Sequence, residues 1–336
     1  MQRTELDSAL EQSKKENGKG FLGRNLASLL RVKELYILLI IIGFGLIMTI
    51  LTPNFLTLIN LQSVAISFSL DAIMAAGMTL VIISGGIDLS VGSVLALAAV
   101  IMAKLHITLK WPLAFAVLSG LACAALIGLF AGFIISKLRI PNLIATLCTM
   151  VLARGLTTAL SGGFWLSGFP EKFAFLGQGF ISVLPVPFFI MLLIALIGQF
   201  LLRNTRYFQQ YYFVGGNRNS AILSGILVGR VEIISFVICS VLSGLSGIIM
   251  ASRLGMVSPT FGVGAELRVI AGCVIGGVTL GGGEGNILGA LLGIVLLALV
   301  SNALILLNVS VYWQEVTYGI VLLVAVIIDS FRTKRA

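Results

Sequence analysis

Apolar residues fall along this chain in long uninterrupted runs, parted by short polar or glycine-rich stretches. The runs predict ten helical spans, at 35–52, 63–83, 88–104, 112–136, 141–160, 183–202, 232–252, 267–280, 286–306 and 311–329. Crossing a hydrocarbon core about 30 Å thick takes roughly 20 helical residues, a length that all but the short eighth run approach. Continuous stretches such as 35–51 and 311–328 lack the two-residue alternation of an outer-membrane barrel strand. The pattern therefore predicts an all-α fold: a polytopic transmembrane helical bundle with helices broken at glycine-rich points. Residues 35–329 form its membrane domain, between cytoplasmic tails at 1–34 and 330–336.

Composition agrees and excludes a water-soluble fold, since 58% of the 336 residues are hydrophobic and 10% are charged. Soluble domains carry about 25% charged residues. A net charge of +9 could suggest nucleic acid, but the basic residues are strung along run edges and not gathered on one face, so no nucleic-acid partner is expected. Their placement reads as topology. Lys137 and Arg139 follow the fourth run, Arg203, Arg206, Arg218 and Arg230 the sixth, and Arg332, Lys334 and Arg335 the tenth. The alternate connections hold few: Lys104, Lys110, Lys172 and Arg253. Excess Lys and Arg marks the cytoplasmic side, which puts both termini inside. The charged N-terminal tail is too long and too mixed for a secretory leader, so the first run is expected to remain as an anchor.

Cys123, Cys148, Cys239 and Cys273 lie singly inside apolar runs and read as ordinary buried thiols. His106, the sole histidine, lies between Lys104 and Lys110 in a short connection, which suits a surface role and no metal. Gly120, Ala124, Gly128 and Gly132, and again Gly285, Gly289 and Gly293, recur every four residues, as helix-packing stripes do. No extramembrane segment reaches the roughly 50 residues a catalytic domain needs. Any driving chemistry is then absent or supplied by another chain, and the two long connections, 161–182 and 203–231, are the places for partners.

Three segments carry candidate chemistry. The run Ser84-Gly85-Gly86-Ile87-Asp88-Leu89-Ser90-Val91-Gly92-Ser93 interrupts an apolar stretch, and its freed backbone groups must find protein or water because lipid offers none. Asp88 and Ser90 either cap a helix or line a polar pathway. A second break runs from Gly276-Gly277 to Gly285, and neither break has the Lys-Ser or Lys-Thr of a phosphate loop. Asp71 and Arg154 stand inside spans, where a charge costs about 2.5–3.5 kcal/mol, so both should face protein or water. Arg154 either pairs with a carboxylate, Asp71 being one candidate, or snorkels to the membrane edge. In the inner connection, Asn217 or Asn219 suits a helix N-cap, Ala221-Ile222-Leu223 a helical turn with an apolar face, and Gly225 a stop. These features describe a short amphipathic helix on the cytoplasmic face, lying on the membrane interface or against a partner.

Taken together, these residues resemble the ribose-type sugar permeases of bacterial ATP-binding-cassette importers. The resemblance runs from about 60 to 329. It rests on Ala75-Ala76-Gly77-Met78-Thr79-Leu80-Val81-Ile82-Ile83-Ser84 leading into Gly86-Ile87-Asp88-Leu89-Ser90-Val91-Gly92-Ser93, then Ile144-Ala145-Thr146-Leu147, Arg154-Gly155, Gly215-Gly216-Asn217, Leu223-Ser224-Gly225-Ile226, Glu266-Leu267 and Gly276-Gly277. The chain departs from the family pattern at Phe208, Arg218-Asn219-Ser220, Arg268 and Glu284.

The resemblance implies a multi-pass permease of the bacterial inner membrane, without catalytic activity or a cofactor of its own. It pairs with a second copy or a close homologue, receives sugar from an extracytoplasmic binding protein, and is driven by a cytoplasmic ATPase that holds ATP and Mg. The stretch Asn217, Arg218, Asn219, Ser220, Ala221, Ile222, Leu223, Ser224, Gly225 and Ile226 resembles the element that docks on that ATPase. Candidates for the translocation pathway are Asp71, Gly85, Gly86, Asp88, Ser90, Arg154, Glu266, Gly276 and Gly277. The alternatives are a related permease for amino acids or nucleosides, and a secondary transporter or channel with Asp71, Asp88 and Arg154 carrying ion coupling or selectivity.

Overall fold

In the computed structural model, which describes residues 33–310 and 312–333, the apolar runs are helices. The expected tails lie outside the described residues except for 33–34 and 330–333. The long helices are α1 (Lys33–Leu51), α2 (Leu58–Ile83), α3 (Val91–Ala103, prolonged by a π-helical turn, Lys104–Thr108), α4 (Leu113–Leu138) and α5 (Asn142–Ser161). They continue with α7 (Val186–Asn204), α10 (Val228–Leu254), α12 (Ile287–Leu306) and α13 (Tyr312–Thr333). Shorter helices are α6 (Glu171–Gln178), α8 (Arg206–Gly216), α9 (Arg218–Leu223) and α11 (Ala265–Ile275). Eight helices among the described residues are long and apolar enough to cross a membrane. Their outward faces carry bare aliphatic and aromatic side chains, such as Ile50, Leu126, Val151 and Phe200, a surface that lipid accepts and water does not.

The eighth expected span, 267–280, is not a spanning helix. α11 has 11 residues, about 16 Å at 1.5 Å per residue. Apolar residues continue to Leu280, but Gly276 and Gly277 end the helix, and Gly277 takes φ +87°, which only glycine adopts freely.

The direction of each helix can still be followed from contacts at the two ends of the bundle. One end gathers Gly85 with Asn142 (3.2 Å), Ile83 with Gly283 (2.9 Å), Gln199 with Ile287 (3.1 Å), Arg218 with Glu232 (3.1 Å), and Glu34 with Asn286. The other gathers Gln62 with Val183 (2.9 Å), Gln178 with Arg253 (2.8 Å), Asn60 with Asn302 (2.7 Å) and Ser301 with Gln314 (3.1 Å). There, a two-residue strand, β1 (Leu166–Ser167), pairs antiparallel with β4 (Met256–Val257), and β2 (Phe180–Ile181) pairs with β3 (Leu184–Pro185). Residues 258–286 therefore run from one end to the other, although only their middle is helical. The described residues make ten passes between the two ends, and Lys137, Arg139, Arg203, Arg206, Arg218 and Arg230 all belong to the first end, here called the basic end.

α2, α3 and α10 form the core, with Ile73, Met78, Leu95, Met102 and Phe236 buried between them. The α4 stripe works as expected: a Cβ on Gly120 or Gly128 would lie 2.6 Å from the carbonyl oxygen of Ala98 or Phe236, so α3 and α10 approach α4 backbone to backbone. Gly289 and Gly293 do the same for α12 against α11, while Gly285 lies in the loop ahead of α12. Of the cysteines, Cys239 and Cys273 are buried as expected, but Cys148 is exposed on α5 and Cys123 half-buried on α4. His106 stands in the π-helical turn, its Nδ1 2.8 Å from the Trp111 carbonyl and its ring stacked on Phe169.

Candidate translocation pathway and coupling element

The first glycine break leaves α2 at Ser84 and reaches α3 at Val91. Asp88 is fully buried there, and its Oδ1 accepts from the Ser90 N–H (2.8 Å) and the Ser90 hydroxyl (2.6 Å). Of the two readings of this pair, side-chain capping of α3 does not occur. Ser90 is the residue preceding α3, but its hydroxyl is turned to Asp88 and neither side chain accepts from the α3 N–H groups. The two instead close a tight Asx-type turn. Asp88 Oδ2 has no hydrogen-bond partner among the described residues.

The second break, after α11, folds back onto the first. Gly283 N–H donates to the Ile83 carbonyl (2.9 Å), and both breaks pack on Gly215-Gly216, the last two residues of α8. A Cβ on Gly215 would collide with the Ile83 carbonyl oxygen and lie 2.6 Å from Gly283 N; one on Gly282 would lie 2.9 Å from Gly215 Cα. Three glycine segments, distant in sequence, thus form one junction at the basic end. Beside it lies a cavity of about 420 Å³ that Gly85, Gly86, Asn142, Gly216, Arg218 and Glu232 help to line. Gly276 and Gly277 border a separate hollow of about 320 Å³ with Tyr212 and Asn286.

Directly after the junction comes α9. Asn217 is its N-cap, with Oδ1 accepting from the Ser220 N–H (2.9 Å), and Gly225 closes it at φ +81°. Its six residues bury Ala221 and leave Ile222 50% and Leu223 89% exposed. Arg218 is tied back to Glu232 on α10 by two contacts of 3.1 and 3.3 Å, so this departure from the family pattern has a local partner. Phe208 has one too, stacking on the buried Tyr211 ring at 5.5 Å. Tyr211 and Val214 are the residues α8 buries against the bundle, and burial pushes the Tyr211 hydroxyl above its ordinary pKa.

The membrane-embedded charges Asp71 and Arg154 do not pair with each other. Arg154 Nη1 donates to the carbonyls of Pro259 and Phe261, each at 2.8 Å, because the unwound stretch before α11 supplies free acceptors at that depth. Arg154 and Glu266 line an open groove of about 420 Å³ with Ser93, Met150 and Thr158. Asp71 instead accepts from Arg268 Nε at 3.2 Å, in a different cavity of about 580 Å³ between α2, α11, α12 and α13. The Arg268 guanidinium also sits 5.9 Å over the Tyr318 ring. Asp71 and Arg154, and the two glycine breaks, therefore belong to different cavities, and Asp88 and Ser90 are buried between helices. Sequence reading missed the Gly215 contact and the close approach of Gly262 (φ +69°) to Gly92, where a Cβ on either would meet the other's backbone. The Thr260-Phe261-Gly262-Val263-Gly264 run was the available signal for the second.

The family of permease components of branched-chain amino acid transport systems matches residues 60–326. The ribose import permease protein of Escherichia coli (strain K12) is 41% identical over 308 residues, covering 90% of this chain and 95% of that protein. The ribose import permease protein of Bacillus subtilis (strain 168) is 38% identical over 297 residues, covering 88% and 90%. The L-arabinose transport system permease protein of Escherichia coli (strain K12) is 39% identical over 285 residues, covering 85% and 87%. No solved structure matches the chain. With the family model matched across nearly the whole bundle, from α2 to α13, this chain belongs to the family described as branched-chain amino acid transport system permease components.

Proposed function

We propose that this chain is the membrane-spanning permease subunit of an ATP-driven importer, and that its cargo is a small sugar of pentose or hexose size. The observation that carries the reading is α9, a capped helix at the basic end that shows Ile222 and Leu223 to the outside and joins the glycine junction of both breaks. A partner ATPase that binds and hydrolyses ATP with Mg takes Ile222 and Leu223 into a groove in the cytoplasm, where the basic end lies. Each side chain contributes about 1.5–3 kcal/mol when fully buried. Arg218 stands at the rim, and its tie to Glu232 fixes the angle at which α9 is presented. Movement of α9 then reaches Gly215-Gly216, and through them the loops at 84–86 and 281–283.

Sugar, handed over by an extracytoplasmic binding protein at the opposite end, passes along the groove of Arg154, Glu266, Ser93 and Thr158, which a second permease copy closes. Ionic and hydroxyl side chains of this kind hydrogen-bond a polyol at low cost in a water-lined passage. The names of the ribose and L-arabinose relatives support the choice of cargo. The pairing of Asp71 with Arg268, and of Arg154 with backbone carbonyls, favours this reading over ion coupling by those residues.

The test is the double change Ile222→Asp with Leu223→Asp, in membranes containing the candidate ATPase and binding protein. Loss of ATPase retention and at least a tenfold fall in uptake of labelled ribose or arabinose are expected, at normal levels of inserted permease. Continued ATPase binding with continued uptake would refute the assignment of α9, and uptake by the wild type of amino acids or nucleosides alone would refute the sugar.

A further inference from the structure

α11 is bordered by open space on two faces. Glu266 and Arg268 stand roughly 200° apart around it, at about 100° per residue. Glu266 faces the 420 Å³ groove beside Arg154, and Arg268 faces the 580 Å³ cavity beside Asp71, Gln314 and Tyr318. The chain is unwound at both ends, with Gly264 at φ +72° and Gly277 at φ +87°. Near its basic end, α11 rests on α12 through glycine: a Cβ on Gly293 would run into the Gly272 carbonyl, and one on Gly276 would lie 2.5 Å from Ala290 Cα. The Ile294 side chain sits over Gly272 at the same crossing, so α11 bears on α12 at one close point. The loop that follows is bonded to the glycine junction by Gly283 N–H to Ile83 O (2.9 Å), so α11 is coupled to α9 through one short segment. Toward its far end α11 is tied to α2 by the Asp71–Arg268 pair (3.2 Å), with Tyr318 beneath the guanidinium, while nearer the crossing Cys273 Sγ lies 3.7 Å from Thr79 Oγ1 and from the Ala75 carbonyl.

We infer that α11 is a lever pivoting on α12, and that the Asp71–Arg268 ion pair is the latch that holds it in the arrangement seen here and opens during each transport cycle. Arg268 is on this reading a positioning residue: it touches no cargo, and it sets where Glu266, on the opposite face, stands in the groove. The cavity around the pair gives the arginine water and room to move, which a close-packed interior would deny. The inference rests on the transport reading above.

The test uses the full complex of permease, ATPase and binding protein in proteoliposomes. Asp71→Cys with Arg268→Cys removes both charges together, so no lone charge is left inside the membrane. Cys123 and Cys148 are replaced by serine in the same chain, and a short bis-methanethiosulfonate joins the new pair, forming a disulfide with each thiol and releasing methanesulfinate. Before joining, the variant is expected to take up labelled ribose or arabinose and to show ATP hydrolysis without sugar at least threefold above wild type, since the latch is gone. Joining should cut uptake more than tenfold while the ATPase stays bound, and a reductant should restore it. Joined protein that transports at the unjoined rate overturns the lever. Where the cysteine pair inserts poorly, the charge exchange Asp71→Arg with Arg268→Asp decides. Uptake within threefold of wild type, with each single change more than tenfold lower, supports the latch, and a double no better than the singles overturns it. A wild type that retains no ATPase and takes up no sugar overturns the transport reading itself, and the lever with it.

Discussion

At the residue scale, the decisive positions are those where a side chain is missing. Gly215 has no room for a Cβ, because the Ile83 carbonyl and Gly283 N occupy its place. Gly215→Ala therefore forces the junction apart. Overpacking of this kind costs about 1–3 kcal/mol, and the strain falls on the contact that links α9 to both breaks. Uptake is expected to fall at least tenfold while the permease still inserts and still binds its ATPase. Gly216→Ala is the control, since nothing stands within 4 Å of its Cβ position; equal uptake by the two variants would show that the junction carries no coupling. Sequence marked Gly215-Gly216 as family signature, but not this contact, because the atoms it must clear belong to residues more than 60 positions away. The same holds for charge. Asp71 was visible as an expensive residue inside a span, whereas Arg268, 197 residues distant, could be chosen as its partner only once α11 was in place.

At the scale of elements, apolar run length proved sufficient for the long helices, whose existence depends on a property each run carries alone. It failed at 267–280, where the apolar run continues after hydrogen bonding has changed partner: Val278 N–H closes a turn on Cys273, and the Thr279 N–H is taken by Glu284. Which backbone groups pair there depends on the loop folding back, a tertiary event that local hydropathy does not record. The short helix α9 was legible because its signals are local: Asn217 as cap, Gly225 as stop, an apolar turn between. A six-residue helix is too short to hold itself together in isolation, so the cap matters more than usual. Asn217→Ala removes the bond to Ser220 N–H and costs about 1 kcal/mol, with α9 fraying as a result. Affinity for the ATPase is expected to drop several-fold, measured by titrating ATPase onto permease in nanodiscs. Asn217→Ser, which keeps a cap, should recover most of it, and full affinity in the alanine variant would mean that α9 is held by its partner alone.

At the scale of the whole molecule, the distribution of polar surface is not compatible with lipid on every side. α1 and α7 expose apolar residues such as Ile47, Ile50, Leu193 and Phe200, as a lipid-facing helix should. α5 is mixed. Leu147, Val151 and Leu156 are exposed along it, yet the open groove at its middle contains Arg154, Thr158 and, from α11, Glu266. A charged group facing hydrocarbon costs about 2.5–3.5 kcal/mol on insertion scales, and two carbonyl contacts do not fill the groove around Arg154. A second copy would cover it. Because the groove holds one cationic and one anionic side chain, two copies related by a two-fold axis can present opposite charges to each other, as an isologous contact requires. The exposed Cys148 lies on this helix as well, one turn before Val151. Val151→Cys in a chain with Cys148 and Cys123 replaced by serine should give a covalent dimer on oxidation in native membranes. Leu193→Cys on α7, exposed to a similar degree, should remain monomeric. Sugar delivered by the binding protein should slow the α5 cross-link, because cargo in the groove separates the two copies. A cross-link at Leu193 in place of Val151 would move the partner to α7 and leave Arg154 to be hydrated from the end of the bundle.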